Sequence, residues 1–343
     1  MEFPGEKLVI KLWETLAEKG VGSLLSPWHI TREGKARNDL RREELLMLAQ
    51  AEVDAADIRA GRKRLEKNGN LRLLVDDSAP DNVTNPGGRV EPTLSLPYVI
   101  EVSFQGSASD GARREINASK AILYAEEALS GDSQAPPDRS IADDWLFTWR
   151  DYAGKVSTED LQQLWGKVLA GEVKSPGSYS LRTLEFLKGL SKEEAEQISK
   201  LGSFVVEGRI VRSLKQYLED QGISFGLLLA MQELGLLSGV EAIGLRTSYK
   251  STVAERFVRG LRSNGKILVV EHEDPNKVFM LEVYLLTAVG SQLLGLGSFP
   301  PNLDYLRFVG KEIVKQGFGV NLADWVQATE KEGQYFNPEK IDA

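Results

Sequence analysis

Apolar residues spaced three and four apart mark out a succession of helices, broken by stretches rich in Gly, Pro, Asp and Ser. Residues 6–19 place Leu8, Leu12, Trp13 and Leu16 on one stripe, which predicts a short amphipathic helix ended by Gly20, Gly22, Ser26 and Pro27. Residues 31–67 predict a long charged helix with Thr31 as N-cap. Leu40, Leu45, Leu48, Val53 and Ile58 give it only a thin apolar stripe, so it buries little alone and suggests an oligomer or a stalk. Turn signals dominate 68–112, from Asp76-Asp77-Ser78-Ala79-Pro80 to Gln105-Gly106-Ser107, while 98–104 reads as a strand. This stretch is expected to be an inserted loop with one β-ribbon. Helix resumes over 113–129, and 130–137 is a linker.

Local signals agree best over 140–201. Residues 141–153 carry Trp145, Leu146, Trp149 and Tyr152, a helix with one aromatic face. Ser157 or Thr158, with Asp160, opens a helix presenting Leu161, Leu164, Trp165, Val168 and Leu169. After the turn at 174–177, Ser178 or Ser180 caps a helix through 190, and Ser191 with Glu194 forms a capping box for the next. Gly166 and Gly171 lie on or beside a helix face, where a side chain would block a neighbour. Trp165, the Pro176-Gly177 turn and Arg182 complete a segment that reads as structural; a ligand pocket lined by Trp165 and Arg182 is the alternative. Farther on, 225–237 predicts a nearly all-apolar helix and 256–262 a basic helix. Strands at 266–272 and 278–284 flank Asp274-Pro275-Asn276 as a hairpin. Thr287 caps a short helix, 304–315 is helical, and the last dozen residues read as a polar tail.

The chain of 343 residues is long enough for two or three domains, and its 42% hydrophobic content excludes wholesale disorder. With no cysteine, disulfides, thiolate zinc sites, iron–sulfur clusters and a thiol nucleophile are all excluded. The net charge of −8 means that binding nucleic acid or acidic lipid requires a local basic patch. Arg246, Lys250, Arg256, Arg259, Arg262 and Lys266, against Glu255 alone, form the one candidate. Glu271, Glu273 and Asp274 on the neighbouring hairpin oppose insertion into DNA.

No apolar run approaches the roughly 18–20 residues of a membrane span, and the first residues lack a secretory signal. The cytoplasm is the expected location, with peripheral attachment to the inner membrane open. On lipid, Leu8, Leu12, Trp13 and Leu16 would face the bilayer with Trp28 as a second anchor; balanced lysines and glutamates favour docking on protein instead.

No catalytic constellation emerges. Residues 260–266 imitate a phosphate-binding loop, but helix precedes, strand follows, and Ile267 stands where Ser or Thr would hold magnesium. The two histidines, His29 and His272, have no nucleophile elbow to serve. Asp143 and Asp144 point about 100° apart on a helix, and Glu172-Val173-Lys174 lies at a helix end. Neither a metal site nor a cofactor site is expected.

The segment from Val156 to Leu184, with Leu164-Trp165-Gly166, Gly171, Ser175-Pro176-Gly177-Ser178 and Leu181-Arg182-Thr183-Leu184, resembles an uncharacterised bacterial family, a domain of unknown function. Ser26-Pro27-Trp28 with Arg32, and Tyr284-Leu285-Leu286-Thr287 with Gly290, resemble it too, so the likeness spans most of the chain outside about 68–112. The resemblance implies no activity and no catalytic residues. It places the protein loosely among bacterial accessory and phage-defence-like gene neighbourhoods. Leu234-Gly235-Leu236-Leu237, the hairpin and the Tyr284–Leu294 run also resemble a winged helix. The expected fold is therefore mainly α: a long N-terminal helix (1–67), an insertion (68–112), a central helical module (113–222) and a winged-helix-like α+β domain (223–343). The expected function is that of a non-enzymatic, oligomeric interaction or sensor protein in phage defence, partnered by itself or by a second protein. A DNA-binding regulator and a peripheral membrane effector are the alternatives.

Overall fold

A computed structural model describes residues 4–22, 37–66, 68–73, 96–241, 245–327 and 333–342, with side chains described except at 37–44 and 96–98. Thr31 and Trp28 lie outside the described residues. The chain divides into two compact units, 1–184 and 185–343.

The first unit is helical. Helix α1 (Glu6–Glu18) buries Leu8, Leu12 and Leu16. Helix α2 (Arg37–Arg59) ends before Gly61, whose φ of 71° turns the chain into the ribbon β1 (Lys63–Leu65) and β2 (Leu71–Leu73). Helix α3 (Leu96–Ser130) is the longest element; its 35 residues span about 52 Å. The strand expected at 98–104 is the start of this helix. Val, Ile and Phe there alternate as in a strand, but tertiary contacts override the local pattern. Glu101, Gln105, Ala108 and Ser109 recur at helical spacing and carry lower exposure than their neighbours. The Ser109 hydroxyl donates to the Ala55 carbonyl of α2 at 2.7 Å, and Gln105 pairs with both the N–H and the carbonyl of Leu65 at 3.0 Å.

Helices α4 (Asp143–Ala153), α5 (Glu159–Lys174) and α6 (Leu181–Gly189) follow; the division between units falls within α6. Helix α5 lies along α3 at Gly166. A Cβ there would meet Tyr124 Cβ at 2.6 Å and the Ala121 carbonyl at 2.8 Å, so only glycine permits this approach. Thr158 occupies the N-cap of α5, yet its side chain makes no capping bond.

The second unit opens with α7 (Lys192–Gly202), whose capping box of Ser191 and Glu194 forms as its sequence predicts. Then come β3 (Arg209–Val211), a one-turn 3-10 helix at Arg212–Leu214, α8 (Lys215–Asp220), α9 (Phe225–Glu233) and β4 (Leu237–Ser238). After β5 (Arg246–Tyr249), the strands β6 (Phe257–Ser263), β7 (Lys266–His272) and β8 (Phe279–Leu286) run in sequence. Helices α10 (Ala288–Leu294) and α11 (Leu303–Val314) precede β9 (Gly319–Gln327) and β10 (Gly333–Lys340). Three antiparallel sheets result: β3-β8-β4, the β5–β8 pair, and β10-β9-β7-β6.

This overturns the mainly α expectation. About 51% of the protein is helix and 19% strand, a mixed α+β composition. Three of the misread segments show why. Residues 256–262 are not a basic helix but largely β6, because Phe257, Leu261 and Ser263 alternate into the core. The hairpin expected between 266–272 and 278–284 does not form: β7 pairs with β6 and β9, whereas β8 pairs with β3, β4 and β5. The polar tail supplies β10, an edge strand whose ladder shifts register between Phe336 and Glu339, around Asn337 (φ 52°) and Pro338. Between the sheets, Phe257, Phe279 and Phe318 pack edge to face with centroids 4.9–5.9 Å apart, and Tyr249 stacks on Phe279 at 4.7 Å.

Candidate interaction surfaces

The basic residues singled out by sequence separate once folded. In a helix Arg256, Arg259 and Arg262 would share a stripe; in a strand Arg259 points to the opposite face from the other two. Their charges are also largely answered. Arg246 pairs with Glu282 at 3.0 Å, Arg256 with Glu271 at 3.4 Å and Arg262 with Glu207 at 3.0 Å, while Lys266 bonds Asp324. The Lys266 ammonium, donating to Asp324, holds that carboxyl below its usual range, helped by Asn337. Lys250 is exposed. Arg259 alone of the six turns inward, its guanidinium 6.0 Å from the Tyr249 ring centre. A patch that looks strongly positive along the chain thus becomes a mixed-charge surface, a weak match to a run of phosphates.

The N-terminal stripe is covered. Leu8, Leu12 and Leu16 are 0–1% exposed within the first unit, and Trp13 is half-buried. Ile10, 49% exposed, is the apolar residue α1 presents outward.

The central motif is held by side chains bonded to backbone. Trp145 donates to the Tyr179 carbonyl at 2.7 Å, and Trp149 to the Trp165 carbonyl at 2.9 Å. The buried Glu172 carboxylate accepts from the N–H of Gly177 at 2.5 Å and of Tyr179 at 3.0 Å, closing the Pro176-Gly177 turn onto α5. Burial pushes the Glu172 carboxyl up, against the pull of those N–H donors and of Arg139. Gly171 lies under the Tyr179 ring, and Gly177 takes a φ of 96°. Trp165 is buried and Arg182 is exposed, so the two do not line one pocket. The acidic fragment around Glu172 is a turn clamp.

A surface missed by sequence reasoning lies at the start of α3. Ile100 (68% exposed) and Phe104 (53%) stand one turn apart on one side of the helix; Val99 and Val102 are exposed farther round it, and Leu71 and Leu73 on the ribbon. The ribbon is tied to α3 through Gln105 and through the Arg64–Glu101 ion pair at 2.8 Å. The signal available in sequence was the i, i+4 stripe of Glu101, Gln105 and Ser109, which assigns the apolar residues to the outer side. Among the described residues no group of three or more His, Asp or Glu side chains is placed to hold a metal, and no helix is long and apolar enough to cross a membrane.

Fold and surfaces together define a two-unit α+β protein with exposed apolar residues at the start of α3. Residues 112–309 match the family described as Protein of unknown function (DUF2806), and the chain belongs to that family. No curated protein and no solved structure matches the chain.

Proposed function

We propose that this chain is a non-enzymatic interaction protein that assembles with a second copy of itself through the tip of the α2–α3 arm. One observation carries the reading: Leu71, Leu73, Val99, Ile100, Val102 and Phe104 are 40–69% exposed on the ribbon and around the first turns of α3. Together these positions expose apolar surface of roughly a few hundred Å² at one tip, a size that on a monomer is often functional.

The chain lacks cysteine, so Ser103→Cys would be its only thiol. A short bis-maleimide should join two copies at that position, and not at the exposed Ser199→Cys of α7. Equal or absent cross-linking at the two positions would count against the reading.

The order β3-β8-β4, with α8 and α9 between β3 and β4, supports a winged-helix-like reading of this segment. Its second helix, α9, runs Phe225-Gly226-Leu227-Leu228-Leu229-Ala230-Met231-Gln232-Glu233 without a basic residue and suits contact with protein better than with phosphate. The covered α1 stripe likewise gives little support to attachment at a lipid surface.

A further inference from the structure

Among the described residues, two arginines of the second unit lack the carboxylate partner that their neighbours have. Arg209 at the start of β3 and Arg259 in mid-β6 come from strands of different sheets, yet both lie against Tyr249, 5.7 and 6.0 Å from its ring centre. Phe279 stacks on one face of that ring, so the two cations share what remains of it. Among the described residues neither guanidinium makes an ion pair. Arg209 donates to the Glu207 carbonyl at 2.5 Å and to the Thr247 hydroxyl at 3.4 Å, which fixes its plane while leaving its charge unanswered. The Nε of Arg259 is buried with no hydrogen-bond partner. Glu207 is the nearby carboxylate, and it is taken: its oxygen accepts from both the backbone N–H and the Nε of Arg262 at 3.0 Å. Arg209, Arg259 and Arg262 against Glu207 leave two positive charges in a partly buried place.

Bringing two like charges together out of water is unfavourable unless an anion joins them. A built framework holds them there nonetheless. Glu207 and Gly208 both take positive φ, 48° and 72°, in a tight turn that bridges Val206 to Arg209 and aims the Arg209 side chain across to β5. Two planar forks with a hydroxyl beside them match a group with three charged oxygens better than a carboxylate with two.

We propose that Arg209 and Arg259, against Tyr249 and beside the Thr247 hydroxyl, form a binding site for a single dianionic phosphate group, either inorganic phosphate or the phosphate of a monoester. Burial raises the Tyr249 hydroxyl, Arg209 and Arg259 pull it back down, and Glu207 acts with burial, so both arginines and the one nearby carboxylate reach that ring. The site needs no part of the assembly reading.

Calorimetric titration of the full chain at fixed ionic strength tests it, with inorganic phosphate and glycerol 3-phosphate as probes. Saturable one-to-one binding of at least one probe is expected; the tighter of the two identifies the source. Affinity should fall at least tenfold in Arg259→Lys, where a point charge replaces the fork, and in Arg209→Gln. It should stay within twofold in Arg307→Gln, a surface change elsewhere. Arg209→Gln decides alone if Arg259→Lys does not fold. No saturable binding of either probe, undiminished binding in the folded variants, or binding only of a DNA duplex would each overturn the proposal.

Discussion

The two ends of α3 are made of similar residues and meet opposite fates. From Ile116 to Leu129 the helix buries Ile116, Ala121, Ile122, Leu123, Ala125 and Leu129 at 0–2% exposure, among α1, α4, α5 and α2. At its start, Val99, Ile100, Val102 and Phe104 are 40–68% exposed, and among the described residues the end of α2 and the ribbon lie alongside. Hydrophobic content does not distinguish the ends; neighbours do. Among the described residues the chain covers one end and leaves the other exposed, the surface on which the assembly proposal rests.

Changes at the two ends should therefore separate stability from assembly. The largest effect is expected from Gly166→Leu, which drives a side chain into Tyr124 and the Ala121 carbonyl at the buried end. Overpacking against backbone should cost about 3 kcal/mol or more in urea unfolding; a loss below about 1 kcal/mol would mean that the α3–α5 approach is loose. Next, Glu172→Gln turns an NH₂ group toward one of two backbone donors. A loss of about 1–3 kcal/mol should follow, whereas an unchanged midpoint would deny the turn clamp. At the exposed end, Ile100→Asp with Phe104→Asp should move the stability of the isolated chain by no more than about 0.5 kcal/mol, as thermal melts at high dilution would register.

The smallest effect is one of pH. Burial raises the folded-state pKa of Glu172 above the unfolded value, so as pH climbs the unfolded chain ionises first. The stability this group contributes is complete below the ordinary carboxylate pKa and declines as pH rises to the folded value. The advantage of the wild type over Glu172→Gln should shrink across that window; an advantage that grows with pH would contradict the assignment.

Legibility in the sequence followed the range of the interaction. The Ser191–Glu194 box and the Thr287 cap, whose hydroxyl accepts from Gly290 N–H at 3.1 Å, are satisfied within four residues and were readable. The aromatic stripe of Trp145 and Trp149 has helical period and was readable too. The basic segment was misread because Arg256, Arg259 and Arg262 fall at i, i+3 and i+6, while the β6 alternation rests on Phe257, Leu261 and Ser263 and depends on a ladder with β7. Its charge was misjudged because the answering acids, Glu207, Glu282 and Asp324, arrive from elsewhere in the chain. Strands β9 and β10 carry Asp, Asn, Gln and Pro, so only their partners reveal them. Arg209 has no local mark at all; its role appears only where two sheets meet.

Light scattering coupled to size exclusion tests the central claim most directly, applied to the wild-type chain and to the Ile100→Asp, Phe104→Asp variant at the same micromolar concentration. The account predicts about twice the 37.9 kDa chain mass for the wild type and the single-chain mass for a folded variant. A wild type at 37.9 kDa, or a variant that keeps the doubled mass, would contradict it.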